Sequence, residues 1–209
     1  MLKLTENCLI GVGSERKCYL HPENEKKCVK VTYKFGRRTK VRCEREIKYS
    51  FKYSMLPQHF KSIPRYFGKV DTNLGEGHVF ELVLDFDGQI STKLSDFIQM
   101  NQPGDSLTKK ICELYRTFLE SRVLVSDFHP GNLVLQKSSA DDYQLVMIDG
   151  FGNSDFIKIC DYSRFFLKKK LTKKIKFSIP IICVGNIYIG GTGKTPTSIL
   201  LAKELSRLK

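Results

Sequence analysis

The sequence predicts an α+β fold: an antiparallel, strand-rich first part, a reduced helical second part, and a truncated strand–turn–helix unit near the end. Three observations carry this. Short β-rich runs crowd residues 3–35 and recur at 62–70 and 79–86. Stretches free of Gly and Pro, at 39–55 and 107–123, read as helices between later strands. Finally, the buried-strand run at 179–184 leads into Gly190-Gly191-Thr192-Gly193-Lys194-Thr195.

The elements follow in order. Leu2-Lys3-Leu4 and Cys8-Leu9-Ile10 lead to Gly11-Val12-Gly13, and residues 17–20 continue as a second strand. His21-Pro22-Glu23-Asn24 is a turn cluster, and Cys28 to Tyr33 alternates as a third strand. In the helix at 39–55, Val41, Ile47, Phe51 and Met55 recur at roughly helical intervals, and Pro57 closes it. Asn73-Leu74-Gly75-Glu76-Gly77 is the turn joining the strands at 62–70 and 79–86. Residues 94–100 and 107–123 read as helices, and 133–136 and 144–148 as short strands around a polar turn at 137–142.

With 209 residues, the chain can bury one sizeable domain or two small ones. Its net charge of +13 is unevenly placed. Residues 1–161 hold 24 Lys/Arg against 21 Asp/Glu, whereas 162–209 hold 11 against the single Glu204. A composition break therefore falls near Asp161, and the body is no specific nucleic-acid binder. The seven cysteines form no C-x-x-C pair, which fits reduced thiols in a cytoplasmic protein. No secretory leader and no membrane-spanning run is expected. The lysine-rich segment at 164–177 reads first as the solvated last helix of the body. Its alternative is peripheral contact with the anionic inner membrane.

Several residues match the parts that handle ATP in protein kinases. Gly11-x-Gly13 lets a backbone turn approach phosphates without a Cβ in the way. Lys30, on the third strand, supplies charge for the α/β-phosphates, and Glu46 on the next helix can anchor its ammonium. Taken singly, these read more simply as a hairpin, an edge-strand lysine and a solvated helix carboxylate. The sharper signal is Asp127-Phe128-His129-Pro130-Gly131-Asn132, with the D-x-x-x-x-N spacing of a kinase catalytic loop. There Asp127 serves as base and Asn132 as a magnesium ligand. Asp149-Gly150, directly after an apolar strand, stands where a second magnesium-binding acid belongs. The whole set implies a protein-kinase-like fold that binds a nucleotide, with ATP and Mg2+ as cofactors.

The resemblance then becomes specific. Leu4-Thr5-Glu6, Gly13-x-x-Arg16-Lys17-Cys18-Tyr19-x-His21-Pro22-Glu23 and Cys28-Val29-Lys30-Val31 resemble the YrbL family of PhoP-regulatory-network proteins. Glu44-Arg45-Glu46-Ile47-Lys48-Tyr49, Ile63-Pro64-Arg65-Tyr66-x-Gly68, Asp85-Phe86-Asp87-Gly88 and Asp149-Gly150-Phe151-Gly152 continue the likeness over residues 1 to about 175. It implies a small two-lobed kinase-like domain with an antiparallel N-lobe and a shortened helical C-lobe. Members differ in keeping the catalytic Asp, and this chain has Asp127. Two departures count against activity. Arg16 stands where the third glycine of the loop belongs, and no A-P-E-like segment follows Asp149. A nucleotide-binding pseudokinase acting as a regulatory partner is therefore the alternative to an active phosphotransferase with an unknown acceptor.

The final segment is of another kind. Gly190, Gly191, Thr192, Gly193, Lys194 and Thr195 form a P-loop, whose amides cradle phosphates while Lys194 adds charge and Thr195 a metal-binding hydroxyl. Over about 177–209 the chain resembles the N-terminal part of tetraacyldisaccharide 4'-kinase. That resemblance implies phosphorylation of a lipid A disaccharide in lipid A biosynthesis, and with it a Gram-negative envelope context. The unit lacks further parallel strands and a Walker B acid, so no such activity is expected from it alone. The expected division is a kinase-like domain at 1–176 and a P-loop fragment at 177–209.

Overall fold

The computed structural model describes residues 1–56, 61–101 and 104–153. The chain divides into two units, Met1–Leu171 and Thr172–Lys209, and every described residue lies in the first. The P-loop, the basic segment at 164–177 and Pro57 fall outside the described residues.

Strands β1 (Leu9–Val12), β2 (Arg16–His21), β3 (Asn24–Thr32), β4 (Tyr66–Thr72) and β5 (Gly75–Glu81) form an antiparallel sheet in the order β1-β2-β3-β5-β4. Strand periodicity assigns its faces. Val29 and Val31 of β3 pack with Leu4, Tyr19 and Val79 on one side, while Cys28 packs with Phe80 and Leu82 on the other. Lys30 shares the Cys28 face, in the middle of the sheet and not on an edge.

The β4–β5 hairpin turns more tightly than its glycines suggest. Thr72 pairs with Gly75, so only Asn73 and Leu74 lie between the strands. Gly75, at φ +102, makes the reversal, and the Thr72 hydroxyl donates to its carbonyl at 2.7 Å. Gly77 stays in the ladder because a Cβ there would meet Val29 Cγ1 at 2.7 Å. At the start of the chain, Leu2 makes a single bridge to Thr72, and Glu6–Cys8 is a 3-10 turn in place of strand.

Helix α1 (Arg37–Tyr53) is present, but its inward face is not the apolar stripe. Of the expected stripe Val41, Phe51 and Met55 are exposed and Ile47 packs inward against Cys28, Phe80 and Leu82, whereas Glu46, Tyr49, Ser50 and Tyr53 are buried. The tyrosine rings provide the packing area, and a carboxylate is placed among them.

Helices α2 (Leu94–Met100) and α3 (Asp105–Glu120) lie with a second sheet of β6 (Thr92–Lys93), β7 (Leu133–Lys137) and β8 (Tyr143–Met147). Helix α3 ends earlier than the sequence suggests because Arg122 turns into the left-handed region at φ 54. Val123, Leu124 and Val125 then run irregularly through the core. That core joins Leu114 and Phe118 of α3, Leu133, Leu135, Leu145 and Met147 of the sheet, and Tyr49 and Tyr53 of α1. Among the described residues no helix is long and apolar enough to cross a membrane.

Candidate functional site

Strand parity brings the charged groups together. On β2, Arg16, Cys18 and Leu20 alternate onto the face that Lys30 and Cys28 occupy on β3, with Cys18 opposite Lys30 and Arg16 opposite Thr32. Helix α1 presents Glu46 to the same place, and Asp149 follows directly after β8 and Ile148. Lys30 Nζ donates to the Ile148 carbonyl at 2.7 Å and lies 3.8 Å from Glu46 Oε1 and 3.7 Å from Asp149 Oδ2. The ring of Phe80 lies 4.8 Å from the same ammonium.

Arg16 is the residue whose role the sequence did not reveal. Its Nη2 donates to Glu46 Oε1 at 2.6 Å and to Asp149 Oδ1 and Oδ2 at 3.1 and 2.9 Å. Its side chain is only 9% exposed, that of Glu46 10% and that of Asp149 38%. Glu46 is thus held more closely by Arg16 than by Lys30. The available signal was parity: Arg16 lies two residues before Cys18 and so shares its face.

The titration of the cluster follows from burial and pairing. Burial pushes the Glu46 carboxyl up to about 7, against the pull of Arg16. Burial also acts to raise Asp149, yet Lys30, a hydrogen bond with Glu46 and Arg16 together hold it well below the usual carboxylate range. Burial would lower the Arg16 guanidinium, but Glu46 and Asp149 raise it further above its ordinary value.

The second wall is the loop from Ser126 to Asn132. Asn132 Nδ2 donates to the Asp127 carbonyl at 2.9 Å and to Asp127 Oδ2 at 3.2 Å. The amides of Ser126 and Asp127 both donate to the Gly150 carbonyl, at 2.8 and 3.2 Å. Gly150 has φ +82, and a Cβ there would stand 2.6 Å from the Asp127 carbonyl oxygen. Only glycine permits that approach. Asp127 itself is exposed. Helix α1 is tied to the start of this loop: the Leu124 amide donates to the Tyr53 hydroxyl at 2.7 Å, and that hydroxyl donates to the Leu124 carbonyl at 3.4 Å.

The structure therefore brings Lys30, Glu46 and Asp149 within ion-pair range and holds Asp127 beside Asn132. The glycine turn is less open. The Gly13 amide donates to the Arg16 carbonyl at 2.8 Å, and the Gly13 carbonyl accepts from the Tyr33 hydroxyl at 2.9 Å, while a Cβ on Gly11 would meet nothing within 4 Å. Asn132 and Asp149 are the residues expected to hold magnesium. As arranged they do not fit it, because both Asp149 oxygens are engaged by Arg16 and Asp149 Oδ1 also accepts from the Gly150 amide at 2.7 Å. Among the described residues no group of three or more His, Cys, Asp or Glu is arranged to hold a metal ion.

An antiparallel sheet with a central Lys–Glu pair, followed by a second lobe carrying the loop acid and Asp149, defines a protein-kinase-like fold. A solved kinase domain matches with TM-score 0.52 and 16% identity over 74% of this chain, which spans about half (54%) of that structure. The chain belongs to the family described as PhoP regulatory network protein YrbL, whose profile matches residues 2–179. Uncharacterized protein YrbL of Escherichia coli K12 is 30% identical over 173 residues, 81% of this chain and 82% of that protein. The Shigella flexneri protein matches equally well. A second profile, tetraacyldisaccharide-1-P 4'-kinase, matches residues 154–209. The tetraacyldisaccharide 4'-kinase of Aliarcobacter butzleri is 56% identical over 39 residues, 19% of this chain and 12% of that protein.

Proposed function

We propose that the cleft between the two sheets binds ATP and that the domain transfers its terminal phosphoryl group to a hydroxyl acceptor of unknown identity. The observation that supports this best is Lys30, buried on a central strand within 4 Å of both Glu46 and Asp149. A lysine so placed is not a surface charge, and a lysine on the third strand, paired with a helix glutamate, is the group that meets the phosphates in protein kinases. Asp127, exposed at the other wall, would accept the acceptor's proton, and positioning with charge neutralisation would supply the catalysis. Magnesium on Asn132 and Asp149 belongs to this reading only for a state in which Arg16 has left Asp149. A second reading, a nucleotide-binding regulatory pseudokinase, is favoured by that same Arg16–Asp149 contact.

For the P-loop of Gly190 to Thr195 we infer a second nucleotide-binding segment; the likeness to the Aliarcobacter enzyme spans 12% of that protein. We further propose a cytoplasmic location, with any peripheral membrane contact made through 164–177.

ATP titration of four proteins tests the proposal: wild type, Lys30→Met, Asp149→Ala and Lys194→Ala. Loss of affinity in Lys30→Met by roughly ten- to a hundredfold, the size of a charge-assisted hydrogen bond, is expected. Loss confined to Lys194→Ala would overturn the cleft. ATP consumption that survives in wild type and fails in Asp127→Asn would mark an enzyme; no consumption with any cell-extract acceptor would favour the regulatory reading.

A further inference from the structure

In place of the third glycine of its turn the chain has Arg16, and that side chain reaches the point where the acids of the cleft converge. We propose that Arg16 is a resident cation standing in for a divalent metal ion, so that the cleft binds a nucleotide polyphosphate without one. The proposal rests on the reading of this cleft as an ATP site.

The placement is built, because the turn carrying Arg16 is fastened on several sides. Glu15 Oε1 accepts from Arg42 Nη1 at 2.8 Å and from the Thr39 hydroxyl at 3.3 Å, which ties the turn to the first helix. The Tyr33 hydroxyl and the Arg16 carbonyl hold Gly13 from both sides. Arg16 is itself part of the β2 ladder. Its guanidinium is thus fixed by the strand and by the two carboxylates at its tip.

Charge then decides between arginine and metal. Two carboxylates, Glu46 and Asp149, are matched by two cations, Arg16 and Lys30. A divalent ion added to Asp149 would face both cations across a few ångströms. A polyphosphate entering the same place would meet the two cations, Arg16 and Lys30, directly. It also finds a donor in waiting. Arg16 spends Nη2 on both carboxylates, while Nη1 is buried without a hydrogen-bond partner among the described residues. Such a donor is rare in a folded protein and marks a site completed by something else. A phosphate oxygen suits a guanidinium fork, which binds two acceptors at once.

ATP binding is measured by calorimetry on the full chain, once with EDTA and once with magnesium. Wild type is expected to bind in EDTA within about threefold of its affinity in magnesium. Arg16→Gly, which restores the loop's missing glycine, is expected to lose roughly tenfold in EDTA and to regain affinity when magnesium is added. Arg16→Lys keeps a charge there and should retain most of the metal-free binding. If wild type binds ATP only with magnesium, Arg16 is no substitute and the proposal falls, while the ATP reading stands. If wild type binds ATP in neither buffer, the ATP reading fails and takes the proposal with it. The wild-type comparison needs no variant, so it decides the matter even if Arg16→Gly does not fold.

Discussion

The two sides of the proposed nucleotide site carry similar chemistry in opposite surroundings. On the strand side, Arg16, Lys30 and Glu46 are buried and each charge answers another at 2.6 to 3.8 Å. On the loop side, Asp127 is exposed and its carboxylate takes a single long hydrogen bond from Asn132. The buried wall cannot lose a member without stranding a charge in low dielectric; the exposed wall can lose one to water. The groups proposed to bind nucleotide are therefore bound up with stability here, whereas the group proposed for proton transfer is nearly free of it.

The largest expected effect tests that contrast directly. Glu46→Ala leaves Arg16 and Lys30 facing only Asp149, and should cost about 3–5 kcal/mol in urea unfolding. Asp127→Asn should move the same midpoint by less than about 0.5 kcal/mol. Equal losses in the two variants would erase the distinction between the walls.

A smaller effect is expected where the walls meet. Gly150→Ala forces a Cβ to within 2.6 Å of the Asp127 carbonyl oxygen at a φ of +82. A loss of about 1–3 kcal/mol should follow, with amide exchange quickening at Ser126 and Asp127. Unchanged stability would mean that the loop can retreat from β8 without penalty.

The smallest effect sharpens the picture of the buried wall. His78 on β5 pairs in register with Lys30, and burial lowers its pKa below the ordinary 6.5 in spite of nearby Glu76. A folded value below the unfolded one means that the unfolded chain binds the extra proton. Stability from His78 is thus present above 6.5 and lost as the pH falls through the depressed value. Thermal unfolding of wild type and His78→Gln, compared from about pH 7 to about pH 5, should show the wild type losing more. Parallel curves would show His78 to be solvated in the folded protein.

Much of this was legible in local sequence. The D-x-x-x-x-N spacing at Asp127 and the acid after the apolar strand at Asp149 depend on short-range geometry, and both strands that flank them lie where alternation put them. Lys30 taken singly read as an edge-strand lysine, because strand order in the sheet is not legible locally; its strand is the central one. The face of α1 was not legible: Val41, Phe51 and Met55 suggested an apolar stripe, but two tyrosines and a paired carboxylate fill the inward face. A pattern of hydrophobicity does not register a buried charge whose partners come from distant strands. Arg16 escaped for a related reason. As a string it is only an absent glycine; its meaning depends on the β2–β3 register and on a residue 133 positions away.

The double hydrogen bond between Tyr53 and Leu124 gives the first helix the character of a clamped lever. In regulated kinases, swinging the corresponding helix outward carries its glutamate away from the lysine and stops catalysis. Here the same swing would shear the Tyr53 hydroxyl from Leu124 and leave a buried amide dry, at about 1–3 kcal/mol before any packing is lost. A rigid helix can no longer serve as the moving part. The turn that precedes Arg16 is fastened to the same helix through Glu15, so it would have to travel with it.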